Sequence, residues 1–205
     1  MNLKLASLVG MFAVAANLSA APQTFDFKDP KGVNNIIFEL DAPLEAINGS
    51  ATGITGSVQF DPANPASVSG RIIVATSSMS VPNPTMKEHL HGDKWMDVSK
   101  HPEITFVTEK VANASTKGNV TTANVTGKMT IRGVSKTMTV PVTLTYLKDK
   151  LKDRGGPAAK DGDILVLRSN FSVLRSDFGI NPGQFEDKVS NEIKLKLSIA
   201  GFAPR

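Results

Sequence analysis

The chain is 205 residues long, 40% hydrophobic and 20% charged, with a formal net charge of +4 and no cysteine. That length suits one domain better than two. The missing cysteine excludes a disulfide framework, a thiolate nucleophile, cysteine metal ligands and a lipid-modified N-terminal cysteine. Lys and Arg form no dense cluster, and one Tyr and one Trp are too few to interleave with one, which speaks against nucleic-acid binding.

The first twenty residues read as a signal rather than as fold. Lys4 is followed by the apolar run "LASLVGMFAVAA" and then by small residues, the pattern of an export signal cut after Ala20. The run is shorter than the roughly 20 apolar residues that a membrane anchor needs. Cleavage would leave 22 basic residues against 19 acidic ones, a mild surplus.

From there period-2 alternation dominates. "NIIFELDA" puts Ile36, Phe38 and Leu40 on one face, and "ATGITGSVQFD" does the same with Thr52, Ile54, Gly56, Val58 and Phe60. "VSGRIIVATSSM" predicts a third strand. Pro82 and Pro84 end it, since proline cannot donate to a ladder. "TMKEHLHG" then predicts a short helix, with Thr85 as cap, Glu88 three residues on as in a capping box, and Gly92 at its end. Met86, Leu90, Trp95 and Met96 make this stretch, Asn83 to Phe106, a hydrophobic insert fit to gate or plug one end of a barrel. Five strands follow. "EITFVTEKV" carries Ile104 and Phe106, and "TANVTGKMTIRG" carries Val125, Met129 and Ile131. "KTMTVPVTLTY" carries Met138, Val140, Val142, Leu144 and Tyr146. "GDILVLRSNFSVL" and "NEIKLKLSIAGF" complete the set, the last with Ile193, Leu195, Leu197 and Ile199 opposite lysines. The "RGVS" turn should join a tight hairpin, and Gly155-Gly156-Pro157 should form a long, mobile loop.

Eight two-faced strands can close into an antiparallel barrel that removes every sheet edge and that has room for one small ligand. A packed core or a sandwich would show the same alternation. A barrel inverted into the outer membrane would carry aromatic girdles, which 6% aromatic residues cannot supply. His89, His91 and His101 are the only histidines. His89 and His91 are two apart on a helix and point to different sides, so no metal is expected. A hydrolase using His89 with Asp93 or Asp97 is the competing reading, but no nucleophile elbow accompanies them. A structural hydrogen bond by His89 accounts for the residue more simply.

Taken in order, "HL…WMDVSKHPEITF", "TGKMTIRGVSKTMTVPVTL", "LRSDFGI" and "VSNEIKLKLSIAG" resemble the YceI-like family of exported lipid-binding proteins. The resemblance covers about Phe25 to the end and defines one domain, 21–205, after the 1–20 signal. It implies an all-β, eight-stranded lipocalin-like barrel with one short helical insert, located in the periplasm. Its apolar interior would hold a polyisoprenoid or similar long chain, without catalysis and with no cofactor besides that lipid. His89, Leu90 and Trp95–Asp97 match the family's insert, Gly127, Thr130, Gly133, Val134 and Lys136 its central hairpin, and Arg175, Asp177, Phe178 and Gly179 its Arg-x-Asp-Phe-Gly turn. Arg175 is expected to orient the loop before the last strand or to pair internally with Asp177. Two departures stand out: no histidine near Asp41–Ala42, and "NPTMK" where an Arg-Asp pair commonly precedes His89. Alternation and resemblance together predict a ligand lining of Phe38, Phe60, Phe106, Met129, Val140, Leu144 and Leu195, with Trp95 and Met96 near an end. The expected partners are the lipid itself and transient contact with a membrane surface, with the protein a monomer or a homodimer.

Overall fold

The computed structural model describes residues 22–155 and 160–205. The expected export signal and the Gly156–Pro157 part of the expected loop lie outside these residues. Among the described residues there are ten strands: β1 (Gln23–Asp26), β2 (Asn35–Asp41), β3 (Ala46–Ala51), β4 (Ile54–Phe60), β5 (Ser69–Ala75), β6 (Glu103–Lys117), β7 (Val120–Ile131), β8 (Val134–Leu147), β9 (Gly162–Leu174) and β10 (Glu192–Pro204). A single α-helix among the described residues, α1 (Pro84–His91), lies between β5 and β6.

Ten strands make eight staves. Neighbouring strands from β4 to β10 pair in chain order, all antiparallel. β10 then meets β1 at Phe202 and β2 along Lys194–Ser198. β1 and β2 therefore form one stave, broken by the segment between Asp26 and Asn35. Their partners β4 and β3 form another, broken at Thr52–Gly53. The buried Asn34 side chain stitches the first break: its amide donates to Phe27 O and Ala200 O at 3.0 Å each, and its carbonyl accepts from Ala200 N at 2.8 Å. The closed eight-stranded antiparallel barrel is thus the one expected, although β1 and β3 have no clear signature in the sequence. β1 is four residues long, and "AINGSA" of β3 offers small residues instead of alternating large apolar ones.

Alternation decides what faces inward. On β7, Ala123, Val125, Met129 and Ile131 are buried while Lys128 is exposed. On the outer face Thr126 and Thr139 share a hydroxyl hydrogen bond of 2.7 Å. The β7–β8 turn is tight, with Arg132 and Gly133 at φ 49° and 77° between the paired Ile131 and Val134. Both central residues in the left-handed region suit the right-handed twist of the hairpin. On β7 apolar side chains point inward and the charged Lys128 outward, the reverse of the pattern of a lipid-facing strand.

One end of the barrel is sealed. Phe25, Phe27, Phe60 and Leu165 are completely or almost completely buried there. Tyr146 packs edge-on to Phe25 at 6.3 Å and tilted to Phe60 at 6.1 Å. The Tyr146 hydroxyl donates to the buried Asp163 carboxylate at 2.7 Å, Asp149 N donates to it at 2.8 Å, and the Arg205 guanidinium closes the group at 3.0 Å.

Candidate functional site

At the other end the core is hollow. A cavity of about 310 Å³ runs from mid-barrel to the helical insert, within the range of small-molecule pockets. Of its lining side chains, the polar ones are His89, Thr108, Ser169 and Arg175; the rest are apolar or glycine. Ser169 is already occupied, donating to Pro141 O at 2.5 Å. The hollow follows from side-chain size: around mid-barrel the inward positions are Val58, Gly70, Thr108, Val125, Val140 and Val142, too small to meet across eight staves.

The insert roofs this space. Asn83, not Thr85, caps α1: its side chain accepts from Met86 N at 3.0 Å, and Pro84 takes the first helical position, where a missing N–H costs nothing. Gly92 N closes the helix on the carbonyls of Glu88 and His89. Met86 and Leu90 then face the cavity together with Trp95 and the buried Met96.

The second part of the roof is the segment from Ile180 to Val189, held by Arg175. This arginine is 1% exposed, and its five N–H groups all reach backbone carbonyls. Nε donates to Ser190 O at 3.3 Å, Nη1 to Ile180 O at 2.9 Å and to Asn181 O, and Nη2 to Val189 O at 3.2 Å and to Gln184 O. Its guanidinium also lies 5.9 Å from the Trp95 ring. Burial pulls the Arg175 pKa below the ordinary guanidinium value, and Glu186 partly restores it. The internal pair with Asp177 is not formed; carbonyls at a fixed spacing satisfy the fork instead. Asn181 Nδ2 donates to Lys94 O at 2.9 Å and Leu44 N to Asp187 O at 2.9 Å, tying this lid to the insert and to the β2–β3 turn.

Of the residues predicted to line the interior, Phe38, Trp95, Met96, Phe106, Met129, Val140, Leu144 and Leu195 face the cavity. Phe60 does not. It is 2% exposed and packs on Tyr146 in the sealed end, because its strand runs past the hollow into the aromatic base. Met79, Phe171, Ile180 and Val189 also line the cavity. Phe171 alternates with Val173 and could have been read from the sequence, whereas Ile180 and Val189 sit on a non-periodic loop.

The histidines do not converge. His91 Nε2 donates to Met79 O at 2.7 Å, so the structural bond expected of His89 belongs to His91. His101 lies against Gly133, and His89 stands exposed at the mouth. The Asp97 carboxylate is taken by Lys100 Nζ at 3.0 Å and Ser99 Oγ at 3.1 Å, and the lysine bond leads in holding its pKa below the ordinary value. Asp93 meets Arg132 through its carbonyl oxygen, at 2.7 Å. Neither aspartate is positioned as the orienting partner of a His89 base.

Comparison with known proteins follows the same outline. A family model described as YceI-like domain matches residues 31–200. A UPF0312 protein of Yersinia pseudotuberculosis is 30% identical over 153 residues, 75% of this chain and 72% of its own. A UPF0312 protein of Pseudomonas aeruginosa is 28% identical over 154 residues, 75% and 73% of the two chains. Burkholderia cenocepacia BcnA superposes with a TM-score of 0.62 at 25% identity, covering 81% of this chain and 95% of that one. A polyisoprenoid binding domain from Saccharophagus degradans superposes with a TM-score of 0.63 over 89% and 99% of the chains. At 8% identity that likeness concerns the fold alone.

Proposed function

Since the chain belongs to the YceI-like domain family, we propose that it is a lipid-binding barrel, which carries or sequesters a polyisoprenoid or similar long chain and performs no chemistry on it. The observation that carries this reading is the roofed cavity of about 310 Å³ with an almost wholly apolar wall. Each methylene moved into such a wall gains about 0.8 kcal/mol, so ten would contribute about 8 kcal/mol before the cost of immobilising the chain. Recognition by burial needs few polar contacts, and the wall offers few. The name of the Saccharophagus degradans domain supports the same ligand class. The lipid is the one bound group the reading requires, with neither metal nor other cofactor.

The "LASLVGMFAVAA" run supports export, and we place the working protein in the periplasm. One ligand per barrel is compatible with a monomer or a homodimer. The test is to purify the protein from the periplasmic fraction, extract it with organic solvent and analyse the extract by mass spectrometry. A stoichiometric isoprenoid or long-chain lipid is expected; several independent preparations with no apolar molecule would refute the carrier reading.

A further inference from the structure

We propose that Phe185 and Leu44 form a docking rim through which the barrel settles on the surface of a lipid bilayer and exchanges its chain there. The inference rests on the carrier reading for its purpose but on different residues for its evidence, since neither side chain lines the cavity. Phe185 is 54% exposed and Leu44 67%. Phe185 tips the Arg175-held lid, whose underside residues Ile180 and Val189 line the cavity. Leu44 tips the β2–β3 turn, joined to that lid by the 2.9 Å bond from Leu44 N to Asp187 O. The two apolar tips therefore belong to one connected roof over the hollow, Leu44 bonded to the lid two residues from Phe185.

Phe185 is also held at φ 60°, a backbone conformation that suits glycine or asparagine and disfavours an aromatic residue. Its ring rests 6.2 Å from Trp95, leaving more than half of the residue in water. The turn fixes this backbone, with the Phe185 carbonyl accepting from Lys188 N at 3.0 Å and Val189 N at 2.7 Å, and it leaves an aromatic side chain exposed where it could enter a bilayer interface. The occupant is argued from the cargo. A chain leaving through water slows about fourfold for every methylene wetted, so ten methylenes slow it about a millionfold. Exchange at a useful rate requires the mouth itself to touch the membrane. Charges beside the rim are mixed: Lys94 and Lys188 against Glu45, Glu186 and Asp187. The contact is therefore apolar rather than electrostatic, and it should persist on neutral lipid and at about 1 M salt, where screening is nearly complete.

The experiment is flotation of the mature protein with phosphatidylcholine vesicles, together with transfer of a fluorescent long-chain probe from protein to vesicles. The wild type should co-float at high salt and transfer at a rate proportional to vesicle concentration. Phe185→Gly combined with Leu44→Ser should lose at least tenfold in both. Glycine suits φ 60°, so the backbone can stay as it is. Equilibrium binding of the chain probe by the double variant should match the wild type, which would show that losing the Phe185–Trp95 contact has not damaged the cavity. Val33→Ser removes an equally exposed side chain (58%) from the loop between β1 and β2 and should change neither readout. Equal flotation by the double variant, or a wild-type rate independent of vesicle concentration, would overturn the docking rim. Failure of the wild type to bind the chain probe at equilibrium would instead overturn the carrier reading, and flotation would still judge the rim by itself.

Discussion

Arg175 shows how one side chain can build a roof. It is a full charge in a buried position, satisfied by five carbonyl oxygens and no carboxylate. Arg175→Lys would leave three donors for five acceptors and a point charge in place of a planar fork. With at least two carbonyls in or at the edge of the core orphaned at about 1–3 kcal/mol each, the variant should lose about 2–6 kcal/mol in urea unfolding. It should also be cleaved faster by protease within the 180–190 segment, because the fork is what gathers that loop; unchanged cleavage would count against the lid. The Arg-x-Asp-Phe-Gly turn made Arg175 legible in the sequence as a loop-orienting residue. Its acceptors were not legible, because every residue has a carbonyl and only the fold selects which five converge. The same reason hid the difference between His89 and His91, since the partner of His91 is the carbonyl of Met79.

At the level of strands, Gly127 on β7 is where close approach governs shape. A Cβ there would stand 2.5 Å from both the Phe106 ring and Val107 O across the β6–β7 pair. Gly127→Ala should cost about 1–3 kcal/mol by overpacking. It should also push the Phe106 ring into the cavity, so chain binding should weaken along with the thermal midpoint. The β8–β9 end makes a separate prediction about pH. Burial raises the Asp163 pKa, but the bonds from Asp149 N and Tyr146, with the Arg205 charge, outweigh it and hold the carboxyl below its ordinary value. A depressed carboxylate contributes stability above its unfolded pKa of about 3.9 and loses it as the pH falls through the folded value. Tyr146 is pushed the other way, first by burial and then by Asp163, from 10.0 to about 12. Its contribution is full below pH 10 and is lost as the pH rises toward 12. Asp163→Asn should therefore flatten the acid limb of a stability–pH profile and Tyr146→Phe the alkaline limb. Strand boundaries were legible where alternation is unbroken, as on β7 and β8. Alternation in "EITFVTEKV" predicts β6 only as far as Val111, yet it runs to Lys117. Its register shifts at Thr108/Lys110 and Ala112/Ser115 change which residues face inward, and this erases the period on which such a reading relies.

For the molecule as a whole, alternation marks the strands and which side of each faces in, and the family resemblance adds that they close into a barrel, but neither tells whether the inside is filled. A solid core and a hollow one share the same pattern; the difference lies in the sizes of residues that meet only after closure. Here a waist of valines, Gly70 and Thr108 leaves space, while Phe25, Phe27 and Phe60 fill the base. That is also why Phe60 could be assigned to the interior from sequence but not to the correct half of it. The waist supplies the most direct test of where the chain goes. Thr108 is half-buried and faces the cavity, so Thr108→Trp would place an indole in the void rather than in packed core. Filling a cavity with apolar atoms tends to stabilise a fold, so the thermal midpoint should hold or rise. Affinity for a long-chain fluorescent probe should fall at least tenfold, a loss of about 1.4 kcal/mol or more. The neighbouring Val107 points outward from the same strand, and Val107→Trp should leave affinity unchanged. Equal weakening by both would implicate the strand rather than the space. Undiminished binding by Thr108→Trp, with the fold intact, would mean that the chain does not occupy the waist.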